Sequence, residues 1–114
     1  MRRYTFVVLT NSIPGQDAEF NAWYDNVHLH DILQVPGFVA AQRFRQVTLD
    51  GESALPYPYL ALYEVETDDL EGTRQALAAL SNGGTIVVSP SLDTSKVVSG
   101  YFEPLTERVV RTQS

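Results

Sequence analysis

The chain has 114 residues, of which 44% are hydrophobic and 19% charged, with a formal net charge of −6. This suits a single domain over residues 1–114 of ordinary globular composition. No Lys/Arg cluster offsets the negative charge, so neither nucleic acid nor an anionic membrane surface is an expected partner. The lack of cysteine excludes disulfides, thiolate nucleophiles and Cys-based metal sites.

No apolar run approaches the ~18 residues of a membrane span. Arg2-Arg3 leads straight into a strand pattern instead of a signal-peptide core, so a cytoplasmic location is expected.

Residues 4–10 are β-branched and aromatic and end at Asn11-Ser12 and Pro14-Gly15, which predicts a buried strand and a turn. Residues 17 to about 34 take helical spacing, with Phe20, Trp23, Tyr24, Val27 and Asp31 on one face. Asp17 and Glu19 suit the first turn of that helix, and Pro36-Gly37 ends it.

From 38 to 48 the sequence alternates, with Phe38, Ala40, Gln42 and Phe44 on one side and Val39, Ala41, Arg43 and Arg45 on the other. Asp50-Gly51-Glu52 and Pro56/Pro58 form the next connection, and 59–66 reads as a third strand. Asp68 with Glu71 fits a capping box. Leu70, Leu77 and Leu80 then mark a second helix that stops at Asn82-Gly83-Gly84. Residues 85–94 read as a loop with one short extended piece, and a last strand runs from Lys96 to about Glu103.

The order β-α-β-β-α-β predicts an α+β, ferredoxin-like domain: a four-stranded antiparallel sheet with two helices on one face. The other face carries enough apolar residues to need a cover, so a homodimer is expected.

The stretch Trp23–Asp31 holds the only tryptophan and both histidines of the chain. Together with Thr10-Asn11-Ser12-Ile13-Pro14-Gly15, Glu19-Phe20-Asn21, and Val35-Pro36-Gly37-Phe38-Val39 followed by Ala41 and Arg43, it resembles the EthD-like branch of the dimeric α+β barrel superfamily. The Trp23-to-His28 spacing and the Val-Pro-Gly-Phe lead into strand two carry that likeness, and Phe102–Arg108 is similar to the closing segment of the group. The resemblance implies an apolar pocket between the first helix and the sheet. It implies no single activity, because the superfamily spans cofactor-free cyclases, dehydratases, isomerases and monooxygenases as well as haem-degrading enzymes. Relatives commonly carry proline where this chain has His30.

His28 is the leading general acid–base candidate, since imidazole titrates near neutrality; the plainer alternative is a helix-end histidine bonded to a backbone carbonyl. Asp31 is a candidate partner for it, or else a solvated carboxylate. His30 lies about 200° from His28 on an ideal helix, which keeps both out of one pocket and disfavours a two-histidine metal site; with the helix ending near Asn26 and an extended segment after it, the two would share a side and His30 is a candidate substrate-binding residue. Arg43, mid-strand among apolar residues, either holds a ligand oxyanion or pairs with Glu64 or Glu66. Asp25 is expected at the surface. Tyr24 is a candidate hydroxyl donor, Asn11 a candidate donor or turn former, and Trp23 a candidate pocket wall, while Tyr59, Tyr63, Phe6 and Phe44 would furnish an aromatic lining or the dimer face.

The expected function is cofactor-free proton transfer (isomerisation, cyclisation, dehydration or a lyase step) on a small, apolar, oxygenated ring compound. The alternatives are a dimeric binding protein for a hydrophobic metabolite, and a monooxygenase of the cofactor-free or haem type.

Overall fold

The computed structural model describes residues 1–51 and 54–112; Glu52, placed in the second connection, lies outside the described residues. The β-branched and aromatic run near the N-terminus forms β1 (Arg2–Thr10). It lies at the centre of the sheet, paired antiparallel to β3 (Tyr59–Thr67) on one side and β4 (Val98–Phe102) on the other. β2 (Phe38–Arg45) joins the outer edge of β3, which gives the order β2-β3-β1-β4 of a ferredoxin-like sheet. The strands start or stop within a few residues of the predicted positions: β2 ends at Arg45 and β4 begins at Val98 rather than at Lys96.

Strand alternation divides the side chains between two faces. Phe6, Tyr59, Ala61, Tyr63 and Val65 point to the helical side and form the core with Phe20, Tyr24, Ile32 and Val35. The side chains between them, Val7, Leu9, Leu60 and Leu62, point to the opposite face with no helix over them.

Simple alternation misplaces one residue of β2. A register shift between Phe38 and Ala40 adds a residue to the strand, so Phe38 pairs with Val65 while Ala40 pairs with Glu64. Phe38 therefore joins the helical side, 5% exposed and edge-on to Phe6 and Tyr63, while Ala40, Gln42 and Phe44 face the other way.

The first helical segment is not one continuous α-helix. α1 (Asp17–Trp23) passes into a π-helical turn, Tyr24–His28, and then a short α2 (Leu29–Ile32). The wider turn alters the facial pattern: Val27, expected inside, is 45% exposed, whereas His28 is partly buried.

α3 (Leu70–Asn82) is capped by Asp69, whose carboxylate accepts the Gly72 N–H at 2.9 Å. The predicted Asp68–Glu71 box does not form. Asp68 is exposed, and Glu71 instead pairs with Arg74 along the helix. α3 packs close to the chain entering β2, where a Cβ on Gly37 would stand 3.1 Å from the Thr73 hydroxyl; its φ of +99° also favours glycine. Between α3 and β4 the chain is irregular apart from a bridge between Leu92 and Ser12, with Ile86 and Ser91 buried.

Candidate functional site

The π turn decides which side chains meet. In an α-helix, residues five apart lie about 140° apart around the axis. The i→i+5 turn brings them into line, and Trp23 consequently stacks on His28, with ring centroids 4.5 Å apart and planes 28° from parallel. Tyr24 meets the same imidazole edge-on at 4.8 Å.

These rings border a cavity of about 170 Å³ between the helices and the sheet, lined by Phe6, Val8, Tyr24, His28, Ile32, Tyr63, Leu77, Ser81, Val97 and Ser99. Inside it the Tyr24 and Tyr63 hydroxyls are 3.2 Å apart and hydrogen-bonded. The two residues are 2% and 1% exposed. The Nδ1 atom of His28 is buried and has no hydrogen-bond partner among the described residues.

Burial controls the proton affinities here. Desolvation lowers the His28 pKa to about 4, against the raising effect of the Asp31 carboxylate, and the Arg43 charge lowers it further. The imidazole is therefore neutral at pH 7. Desolvation raises the Tyr24 phenol, offset in part by the Tyr63 hydrogen bond and by Arg43. Tyr63 is pushed well above the ordinary phenol value by burial and by its neighbour Tyr24. The pair is thus protonated and able to donate hydrogen bonds.

Arg43 does not enter the cavity. Its guanidinium lies over the Tyr24 ring and bonds Asp25 at 2.7 Å and Asn21 at 2.8 Å. Neither Glu64 nor Glu66 is its partner; both project from β3 toward the other face of the sheet. Asp25 is exposed at the surface, as expected, and is the counter-ion. A surface groove of about 420 Å³ borders this ion pair, lined also by Phe44, Arg45 and Tyr59. Asp25 and Arg43 already satisfy one another there, and the cavity with the unpartnered imidazole is the candidate site.

Of the predicted residues, His28, Tyr24, Phe6 and Tyr63 converge on the cavity, with Trp23 behind His28. Asp31 is half-buried and acts on His28 through its charge. His30 is exposed and outside the lining, and Phe44 is on the opposite face. Asn11 also lies outside it, and its carbonyl accepts the Asp93 N–H at 3.0 Å. Sequence reading missed Val8, Ile32, Leu77, Ser81, Val97 and Ser99 as cavity residues. Leu77 was visible only as a core position, and Ser99 only as part of the last strand.

An antiparallel β2-β3-β1-β4 sheet with helices on one face defines the ferredoxin-like class of α+β fold. Neither a protein-family sequence model nor a curated protein matches this sequence, whereas solved structures do. An ethyl tert-butyl ether D (EthD) family protein from Bacillus halodurans shares the fold at TM-score 0.63 and 16% identity, over 92% of this chain and 100% of its own. The haem degrader MhuD from Mycobacterium tuberculosis matches at TM-score 0.58 and 20% identity, over 93% and 99%. SnoaB, a cofactor-independent oxygenase from Streptomyces nogalater, matches at TM-score 0.58 and 18% identity, over 98% and 100%. The chain has the EthD-like, ferredoxin-like fold.

Proposed function

We propose that the cavity binds a small, largely apolar ring compound bearing a hydroxyl or carbonyl oxygen, and that it moves a proton on that compound without a cofactor. The observation that supports this is a neutral His28 imidazole and a hydrogen-bonded pair of phenols, Tyr24 and Tyr63, among the side chains that line one largely apolar cavity. His28 is the general base. Tyr24, paired with Tyr63, donates to the oxygen that gains negative charge, where a low dielectric strengthens such a bond. Asp31 favours the imidazolium formed along the way. Replacing His28 with alanine is expected to lower the turnover of a responsive substrate by about 10²–10⁴-fold. An unchanged rate in that variant removes His28 from the mechanism.

The oxygenase neighbour supports a second reading, in which the anion produced by His28 reacts with dioxygen. Oxygen consumption under air, compared with the product formed anaerobically, separates the two. Binding without turnover in either atmosphere would leave a carrier protein. Haem does not suit the cavity as shaped: about 170 Å³ is well below the roughly 300–1,000 Å³ of pockets for drug-sized ligands.

The uncovered sheet face supports a homodimer. Val7, Leu9, Leu60, Leu62, Phe44, Val98 and Phe102 share that face by register, and Phe44, Val98 and Phe102 are 41%, 47% and 61% exposed. A second copy laid sheet to sheet would cover them.

A further inference from the structure

Arg43 is buried more deeply than a surface ion pair requires. Its side chain is 12% exposed, against 57% for its partner Asp25. The guanidinium carbon is 4.3 Å from the Tyr24 ring centroid and 5.5 Å from those of Phe20 and Tyr59, so three aromatic rings surround the cation. Asn21 accepts one of its N–H groups and in turn donates to the Tyr59 hydroxyl at 3.3 Å. Tyr24 thus separates the cation from the cavity: Arg43 stands on the β2 side of the ring, while the hydroxyl meets Tyr63 among the cavity residues of β1, β3 and β4.

We propose that Arg43 is a positioning residue that acts through Tyr24, fixing the ring from behind and strengthening its hydroxyl as a proton donor to a ligand oxygen in the cavity. This rests on the functional reading above, with Tyr24 as the group that touches the ligand. A cation against an aromatic face stabilises electron density in the ring, and most strongly when the pair is desolvated. The same charge favours the phenolate over the phenol. Asp25 opposes the effect by neutralising part of that charge, and its exposure to solvent weakens the opposition.

Tyr24 is the only group that has to be followed. The ionisable groups against it are Arg43 on β2, Tyr63 on β3 and His28 on its own helical segment, with Asp25 and Tyr59 beside Arg43 and Asp17 beyond Tyr59. His28 is uncharged throughout the alkaline range.

The test is fluorine NMR of the ligand-free protein labelled with 3-fluorotyrosine, with the Tyr24 resonance assigned by its loss in Tyr24→Phe. Fluorination lowers the phenol's ionisation range, which keeps the titration within reach of the folded protein. Arg43→Met is expected to raise the Tyr24 midpoint by about one pH unit or more, and Arg43→Lys to restore part of it. Asp25→Asn is expected to move the midpoint the other way, by about 0.3 unit or more. Loss of a purely structural bridge would shift both variants in the same direction, and that result overturns the proposal, as does an unchanged midpoint in Arg43→Met. Should Arg43→Met not fold, the sign in Asp25→Asn decides: a fall supports the charge effect, while a rise or no change rejects it. The readout requires no turnover, so a failed assay for the proposed reaction leaves this measurement intact.

Discussion

His28 ties the site to stability through its proton. Its folded pKa of about 4 lies below the ordinary imidazole value of 6.5, so the unfolded chain takes up the proton more readily. Stability is full above about pH 6.5 and is lost as the pH falls toward 4, by on the order of 3 kcal/mol. Asp17, lowered chiefly by the Tyr59 hydrogen bond, contributes in the same direction as the pH falls through the ordinary carboxylate value of 3.8. Urea unfolding at pH 7 and pH 4.5 is expected to show a marked loss for the wild type and a smaller one for His28→Gln. Equal losses in the two proteins would refute the assignment.

The tyrosine pair offers a second measurement at this scale. Removing one hydroxyl leaves the other buried without its partner, which costs about 1–3 kcal/mol. Tyr24→Phe and Tyr63→Phe together are therefore expected to cost clearly less than the two single changes added. Strict additivity in a double-mutant cycle would mean that the bond is not formed.

Among the elements, period-2 and period-3.6 patterns revealed which segments are strands and helices, because burying one face demands those periods. Insertions defeat such patterns. Phe38 was assigned to the side of Ala40 because alternation counts residues and carries no sign of the bulge between them. Val27, expected inside, is exposed because a regular helical wheel has no place for a π turn. His28 was nonetheless legible as the leading acid–base residue, whereas Arg43's true partners, Asn21 and Asp25, required the packing of α1 against β2.

The cap of α3 shows a shift of one residue. Asp69→Ala is expected to destabilise by about 1 kcal/mol through the lost bond to Gly72, while Asp68→Ala stays within about 0.5 kcal/mol. Gly72→Ala, ordinarily favourable within a helix, is expected to destabilise, because its Cβ would fall on the Asp69 carboxylate. Denaturant midpoints check all three, and a stabilised Gly72→Ala would show that the cap contributes little.

For the molecule as a whole, the register gathers Val7, Leu9, Leu60 and Leu62 on the side of the sheet without helices, beside Thr5, Gln42 and Glu64. With a second copy covering it, the wild type is expected to sediment as two chains. Leu62→Asp, at the centre of the face on β3, is expected to sediment as one, and a wild type that remains a single chain at high concentration would dismiss the pairing. The dimensions bear on the same question. The chain is a slab of 45 × 44 × 22 Å, and its radius of gyration of 15.9 Å exceeds the about 13 Å of a compact domain of this length. Two slabs stacked through the thin dimension would double 22 Å to about 44 Å, matching the other two axes. The pair would then be nearly equal in every direction, where one chain alone is a flat plate. X-ray scattering in solution distinguishes a plate from a near-cube by outline alone, without reference to any side chain.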